Sequence, residues 1–548
     1  MQRLAPFPVS DKTHQTLALP GWTVPAWIAG IVVAGAALRV VWAFQVGLHP
    51  DEALYASWAL RIADGSDPAL LGVYVDKPPF LPYLLAAIAW LMGGTFASIS
   101  QLQHLVVAGR LAGVAAGLIS LALLWSIARP VYGRRVAAMA VALLAVSPLA
   151  ARLSPSLLTD PWLVLFMLLG LWAALRGRPW LTGLACGLAF ATKQQAVLII
   201  PVVVAAYFLF RTGSPGRAAQ TQEWRVGTVA SHRPARAGLQ AGTLWRLVCG
   251  FALIATVVLW WDSQRWQWMP SYWERSATTY GGLALVAAPQ LAQHLASWAG
   301  VLATVIGLPL LLLAAIMWGG RLAIAIRAHR HAHVLRALPD SARRFDALLG
   351  VFLLVYLAVH LATSLAPWDR YALPLAPVLA LLLARIVYWW ADRIDQQGRR
   401  GAVVALAAVV AAGMLWAVIT TASPRFPVAD NSTYDGVPAI AGYIRDQEPP
   451  AAIVYHRTFG WHYGFYLYGA DHDLRWWRSP ADLARQAARQ QGRQLVALPS
   501  AGDRAAVADA LARRGLALDP VMTASHPDGS LSATLFSIEP LAGAATGD

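Results

Sequence analysis

Residues 24–56, VPAWIAGIVVAGAALRVVWAFQVGLHPDEALYA, decide how the rest of the chain is read. The segment 24–44 is apolar apart from Arg39, and at about 1.5 Å per residue it is long enough to cross the ~30 Å hydrocarbon core of a bilayer. Immediately after it stands His49-Pro50-Asp51-Glu52-Ala53-Leu54-Tyr55. Adjacent carboxylates at a membrane boundary are costly without a purpose. A structural purpose is available, since Pro50 can open a helix whose positive dipole end Asp51 and Glu52 would complement. A chemical purpose is equally available, and these residues alone leave both readings open.

The composition extends the membrane reading to most of the chain. Of 548 residues 58% are apolar and 13% charged, with mean hydropathy +0.51, too little polar surface for a soluble globule of this size. Spanning-length apolar stretches recur through Thr421 and then stop, so the tail reads as a soluble domain. The net charge of +15 does not point to nucleic acid, because the charges fall between apolar segments instead of clustering on one face. Cys186 and Cys249 both lie in apolar segments, which excludes a disulfide framework and a CxxC metal or redox site. The segment 24–44 is long and has no convincing small-residue cleavage site after it, so it is expected to be the first span and not a signal peptide.

Eleven spans are predicted, at 24–46, 105–128, 135–153, 160–176, 179–192, 195–211, 245–262, 295–318, 346–366, 370–390 and 402–421. With a cytoplasmic N-terminal segment 1–23, the arginine-rich connections around Arg134, Arg178, Arg246, Arg321 and Arg399 all fall inside, as the positive-inside rule requires. Counting 78–93 as a further span would turn those loops outward. It is short and opens with two prolines, so it is expected as a helix in the outer interface, with Tyr83 and Trp90 at headgroup depth. This parity places outside the loop 47–104, the turn 154–160, the loop 263–294 and the domain 422–548. That domain is expected to be a small α/β unit, from β-like runs at 452–455 and 494–498 and amphipathic helices near 481–491 and 503–514. The fold class is therefore a polytopic all-α membrane protein with a small C-terminal α/β extracytoplasmic domain.

Several polar residues stand on that outer side. Lys77, one of three lysines with Lys12 and Lys193, precedes Pro78-Pro79; it could grip a lipid phosphate or simply pair with Asp76. Asp160, in Thr159-Asp160-Pro161, could act chemically or merely cap a helix. Lys193 interrupts two apolar segments and needs an acid or an anionic ligand beside it. Arg370, in Trp368-Asp369-Arg370-Tyr371, could pair with Asp369. The loop 263–294 contributes Arg265, Arg275, Trp266, Trp268, Trp273 and Tyr280, suited to sugars, to lipid headgroups or to an interfacial belt.

Taken together, Asp51-Glu52-Ala53 with Tyr55, Lys77-Pro78-Pro79, Asp160-Pro161, Thr192-Lys193 and Arg370-Tyr371 with Pro374 resemble the GT-C glycosyltransferases, nearest the protein mannosyltransferases and the bacterial aminoarabinose transferase of lipid A. The resemblance covers 24 to about 390. It implies a GT-C catalytic domain over 24–421 and transfer of a sugar from a polyprenyl-phosphate donor to an envelope lipid, glycan or protein, at the outer face of a bacterial inner membrane. It also implies that Asp51 is the catalytic base and Asp160 the second acidic site, with Glu52 in the same acidic motif. Lys77 matches the family's phosphate-contacting lysine, and Lys193 and Arg370 join it as donor-phosphate candidates. Tyr55, Tyr371, Arg265 and Arg275 are the substrate-binding candidates. One departure concerns Lys193: the family's Thr-Lys pair is usually followed by glycine, whereas Gln194 and Gln195 follow here.

A carboxylate would take the acceptor's hydroxyl proton as that oxygen attacks the anomeric carbon, and one displacement inverts the centre. Cations would stabilise the departing phosphate, itself a good leaving group. No metal is expected to be obligatory, although Asp51 and Asp160 could hold magnesium or manganese through oxygen ligands. The rival reading, a transporter or flippase of lipid-linked sugars, calls for charges deep in several spans or an internal repeat. Arg39 and Arg110 are the main residues of the first kind, and no repeat is evident.

Overall fold

The computed structural model describes residues 16–19, 22–44, 47–211, 241–279, 284–329, 340–423, 434–500, 502 and 504–541. Most of the segment 1–23, the connection 212–240, Tyr280 and the start of the tail lie outside the described residues. The chain begins with a short antiparallel pair, β1 (Thr16–Leu19) and β2 (Trp22–Pro25), and then enters a helical bundle.

The bundle's first half comprises α1 (Ala26–Ala43), α2 (Pro50–Ala63), α3 (Phe80–Leu91), α4 (Ile99–Tyr132), α5 (Arg134–Ala145), α6 (Pro148–Leu153), α7 (Asp160–Leu175), α8 (Pro179–Thr192) and α9 (Ala196–Arg211). The second half comprises α10 (Ala241–Ser263), α11 (Tyr272–Thr279), α12 (Leu291–Val305), α13 (Leu308–His329), α14 (Asp340–Ala362), α15 (Leu375–Gln396) and α16 (Arg400–Ala422). Among the described residues seven helices are long and apolar enough to cross a membrane, and α7, α8 and α9 are shorter apolar helices packed among them. Large apolar side chains such as Val33, Ile316 and Leu415 stay exposed on the bundle's outside, a surface suited to lipid and costly in water. At twelve residues, α3 is about 18 Å long, too short to cross, with Trp90 on its exposed side.

Two expected spans are broken. The segment 135–153 divides at Ser147-Pro148, where the missing proline N–H ends the helical ladder. The carbonyls left over at the end of α5 are met by Arg39, 1% exposed, which donates to Ala145 O at 2.7 Å, Leu144 O at 3.3 Å and Gly35 O at 2.8 Å. The segment 295–318 divides at Gly307, whose φ of 88° ends α12, and Pro309 sits in the first turn of α13. As a result α12 packs against α6 and the turn Asp369–Ala372, and α13 is the spanning element. Averaged hydrophobicity runs straight through both breaks, which is why they were not expected.

The tail folds into α17 (Val437–Gln447), β3 (Ile453–His456), α18 (Gly460–Tyr466), β4 (Asp473–Trp476), α19 (Pro480–Ala487), β5 (Gln494–Pro499), α20 (Arg504–Ala512), β6 (Leu516–Ser525) and β7 (Leu531–Pro540). The strand order is β4-β3-β5-β7-β6, with β3 parallel to both β4 and β5 and the β5-β7-β6 side antiparallel. Tyr455, Leu483, Val496, Leu511 and Phe536 fill a core beneath the sheet. The unit is docked on the first long loop. His462 Nε2 lies 2.8 Å from Leu48 O, Arg445 donates to Phe96 O and Ala97 O at 3.1 Å, and the Tyr468 hydroxyl bonds Asp64.

Candidate active site

The site is assembled around the start of α2. His49 caps that helix, its Nδ1 accepting the Asp51 N–H at 3.0 Å, while the His49 N–H donates to Glu52 Oε2 at 2.9 Å. Glu52, 2% exposed, then receives Arg110 twice, at 3.1 and 2.8 Å, and the Leu157 N–H at 2.9 Å. Four bonds occupy its carboxylate, and it ties α2 to α4 and to the turn ahead of α7. The turn comes close to α4 because Gly113 has no side chain: a Cβ there would lie 2.4 Å from Ser154 O. That approach sets the position of Asp160.

Asp51, on the neighbouring residue, is held differently. Its carboxylate is paired with Arg370, 319 positions along the chain, and about a quarter of its side chain remains exposed. Asp160 is buried and pairs with Lys193 Nζ at 2.5 Å, and that ammonium stands 4.5 Å from the centre of the Tyr371 ring. Lys77 Nζ binds Asp76 Oδ2 at 2.7 Å, with both side chains buried. Lys77, Lys193 and Arg370 lie within electrostatic reach of one another, and Tyr55 within reach of Arg370.

These charges set each other's proton affinities. Burial works to raise the Asp51 carboxyl, but Arg370, then His49 and Lys77, outweigh it and hold the group below the ordinary carboxylate value. Burial pulls the Lys77 ammonium below the usual lysine value despite Asp76 and Asp51. Asp369 is pushed up to about 6, chiefly by burial; its Oδ1 accepts the Arg370 N–H at 2.6 Å and its Oδ2 is buried without a hydrogen bond.

Some sequence candidates sit elsewhere in the architecture. Glu52 is a structural tie, because no lone pair of its carboxylate is left to accept a substrate proton. Arg265, 1% exposed, donates to Leu70 O at 3.1 Å and Val73 O at 3.3 Å and lies 3.8 Å from Asp262; it braces the first loop and does not open to substrate. Arg275 stacks over the Tyr74 ring at 4.7 Å. Arg39 and Arg110, the deep cations on which a transporter reading would lean, are both satisfied by carbonyls or by Glu52.

The two glutamines noted as a departure from the family pattern take on a role that the sequence does not assign them. Gln194 Nε2 donates to Asp76 O at 2.7 Å, joining the Lys193 turn to the Lys77 loop. Gln195 Nε2 reaches the Tyr356 hydroxyl at 3.0 Å, and that hydroxyl donates to Tyr371 O at 2.5 Å. The two glutamines standing where glycine is usual were the available signal, since amides in an apolar context require partners. As for metal, Asp51 and Asp160 each already face a cation, and among the described residues no three His, Cys, Asp or Glu side chains converge. The donor set does not form a cage.

With this geometry in view, comparison with known proteins is informative. A family model described as dolichyl-phosphate-mannose-protein mannosyltransferase matches residues 76–230. No curated protein matches by sequence. Among solved structures, ArnT from Cupriavidus metallidurans in the apo state aligns with TM-score 0.59 at 16% identity, over 93% of this chain and 98% of that one. The same protein bound to undecaprenyl phosphate gives 0.57, also at 16% identity and with the same coverage. The fold is that of the GT-C glycosyltransferases. The Archaeoglobus fulgidus oligosaccharyltransferase in the apo form shares it more distantly, with TM-score 0.50 at 13% identity over 92% of this chain and 74% of that one. Within the GT-C fold this chain resembles the protein mannosyltransferase and ArnT group, and its ion pairs lie where α2, α7 and α15 begin.

Proposed function

We propose that this protein is a glycosyltransferase that moves a sugar from a polyprenyl-phosphate donor to a hydroxyl or phosphate acceptor on an envelope lipid, glycan or protein. The reaction runs at the outer face of a bacterial inner membrane, with the N-terminus cytoplasmic and the domain 422–548 on the outer side. One observation carries the reading: Asp51 with Arg370, Asp76 with Lys77 and Asp160 with Lys193, from distant parts of the chain, meet as three ion pairs at one end of an apolar bundle. ArnT, which shares the fold, has been solved bound to undecaprenyl phosphate, and that supports a lipid phosphate as the cations' partner.

In the proposed reaction the Asp51 carboxylate takes the acceptor's O–H proton while that oxygen forms a bond to the anomeric carbon. The bond from that carbon to the phosphate oxygen breaks, its electron pair stays with the phosphate, and the configuration inverts. Lys77, Lys193 and Arg370 stabilise the charge that develops on the leaving group. Arg370 thereby has two anionic partners in turn. While it holds Asp51 the carboxylate is a weakened base; as the donor's phosphate draws Arg370 away, the base strengthens. Asp160 and the Tyr371 ring hold Lys193 in place, and the buried Tyr55 backs Arg370 instead of meeting the sugar. The chemistry needs no metal.

Purified protein given a radiolabelled polyprenyl-phosphate sugar and a crude envelope acceptor tests the reading. Transfer is expected, unaffected by chelator and abolished in Asp51→Asn. Full activity in that variant removes the assigned base, and loss of activity to chelator with recovery on adding magnesium or manganese overturns the metal-free mechanism. Movement of the labelled lipid across the bilayer without transfer would make the protein a flippase instead.

A further inference from the structure

A second charged region lies toward the other end of the bundle and has no part in the transfer reaction. Both α13 and α14 pack on α15, yet they barely touch each other. Between them lies a cavity of about 580 Å³, in the range of small-molecule sites. Its walls are apolar, formed by Leu311, Trp318, Gly350, Leu354 and Leu382 among others.

Only the end near the starts of α14 and the last turns of α13 is polar. Arg321, Arg343 and Asp346 line it, and Arg385 adjoins it with its Nε 3.7 Å from Asp346 Oδ2. Asp346 also accepts the Tyr132 hydroxyl at 2.6 Å. Two guanidinium groups, those of Arg321 and Arg385, therefore act on one carboxylate. Arg321 Nη1 and Arg385 Nη2 are buried and make no hydrogen bond, while Trp318 and Trp389 flank the Arg321 guanidinium at 4.9 and 5.3 Å. Buried guanidinium N–H groups left in this condition call for an anionic acceptor. By the positive-inside rule this end faces the cytoplasm, opposite the polar cluster at the start of α15.

We propose that the groove between α13 and α14 is a binding site for an anionic phospholipid of the cytoplasmic leaflet. An acyl chain occupies the apolar slot, and the headgroup phosphate sits among Arg321, Arg343 and Arg385. Charge complementarity selects the occupant: the Arg321 and Arg385 guanidiniums outnumber the Asp346 carboxylate they share, which favours a headgroup with net negative charge over a zwitterionic one. The polyprenyl-phosphate donor is a poorer match, because its phosphate is required at the far end of the bundle.

Native mass spectrometry of the full chain, titrated with phosphatidylglycerol or phosphatidylcholine of identical acyl chains, tests the site without any measurement of transfer. Phosphatidylglycerol should bind at least about fivefold more tightly, the effect of roughly one basic residue at a lipid headgroup. Arg321→Gln should reduce that preference, weakening phosphatidylglycerol binding by about the same factor and phosphatidylcholine binding by less. Gly350→Leu provides a second variant, since a Cβ at Gly350 meets nothing within 4 Å and the added side chain enters the slot. It should lose the bound lipid while melting at or above the parent temperature, because leucine suits a helix better than glycine. Equal binding of the two lipids, an unchanged preference in Arg321→Gln, or undiminished binding in Gly350→Leu overturns the proposal. Displacement of phosphatidylglycerol by equimolar polyprenyl phosphate also overturns it and assigns the groove to the donor.

Discussion

Asp51 and Glu52 are neighbours on one helical turn, yet the structure holds them in opposite ways. Glu52 is enclosed by Arg110, Leu157 and His49 and has no acceptor capacity to spare. Asp51 meets a single guanidinium and keeps part of its surface open. Their contrast lies in how much hydrogen-bonding capacity the fold leaves unspent, and that, more than charge or burial alone, is what suits Asp51 and not Glu52 to the proposed role of base.

The contrast can be broken by exchanging amides for the acids. Asp51→Asn should lower the transfer rate by about 10²–10⁴-fold, the usual worth of a general base, with a smaller fall in melting temperature than at Glu52, because Asp51 is about a quarter exposed and the amide oxygen can still accept from Arg370. Glu52→Gln should do the reverse. It strands Arg110 in the interior, and breaking such a pair costs about 3–5 kcal/mol, to be read as a large fall in melting temperature and in yield of folded protein. A stable but inactive Glu52→Gln would erase the distinction.

A subtler effect concerns the guanidinium beside Asp51. Because Arg370 lowers the Asp51 pKa, Arg370→Gln should move the acid limb of the kcat/KM profile to higher pH and weaken donor binding. An unmoved limb would separate Asp51 from the observed titration. The smallest expected effect belongs to Asp369, pushed up to about 6 from 3.8 mainly by burial. The folded protein holds this proton more tightly than the unfolded one, so its contribution is fully present below about pH 4 and is lost as pH rises through about 6. Asp369→Asn should therefore raise the melting temperature at pH 8 and leave it nearly unchanged at pH 4, with the amide oxygen still able to accept the Arg370 N–H.

Much of the architecture could be read before any coordinates, because a bilayer imposes length and polarity on each segment. The apolar runs, the short helix at 80–91 and the α/β tail all follow from such local signals. The breaks at Ser147-Pro148 and Gly307 did not, since a proline or glycine inside an apolar run changes direction without changing hydrophobicity. In the candidate site, the residue types and their membrane side were legible. The partners were not: nothing near Glu52 announces Arg110, and nothing near Asp51 announces Arg370. Arg265 misled for the same reason, as an arginine in an aromatic loop looks exposed until Leu70 and Val73 present their carbonyls to it.

The docking of the tail onto the first long loop has a consequence for biosynthesis. Residues 47–104 leave the ribosome early, but the contacts that brace them come from His462, Arg445 and Tyr468. Until those residues have been made and delivered to the same side, the loop bearing Asp51 and Lys77 lacks its scaffold. A chain stalled in translation within the last membrane helix would carry every charged residue of the site and still be without the part that holds the first loop in shape. The order of synthesis thus withholds the finished site until residues 445–468 have been made.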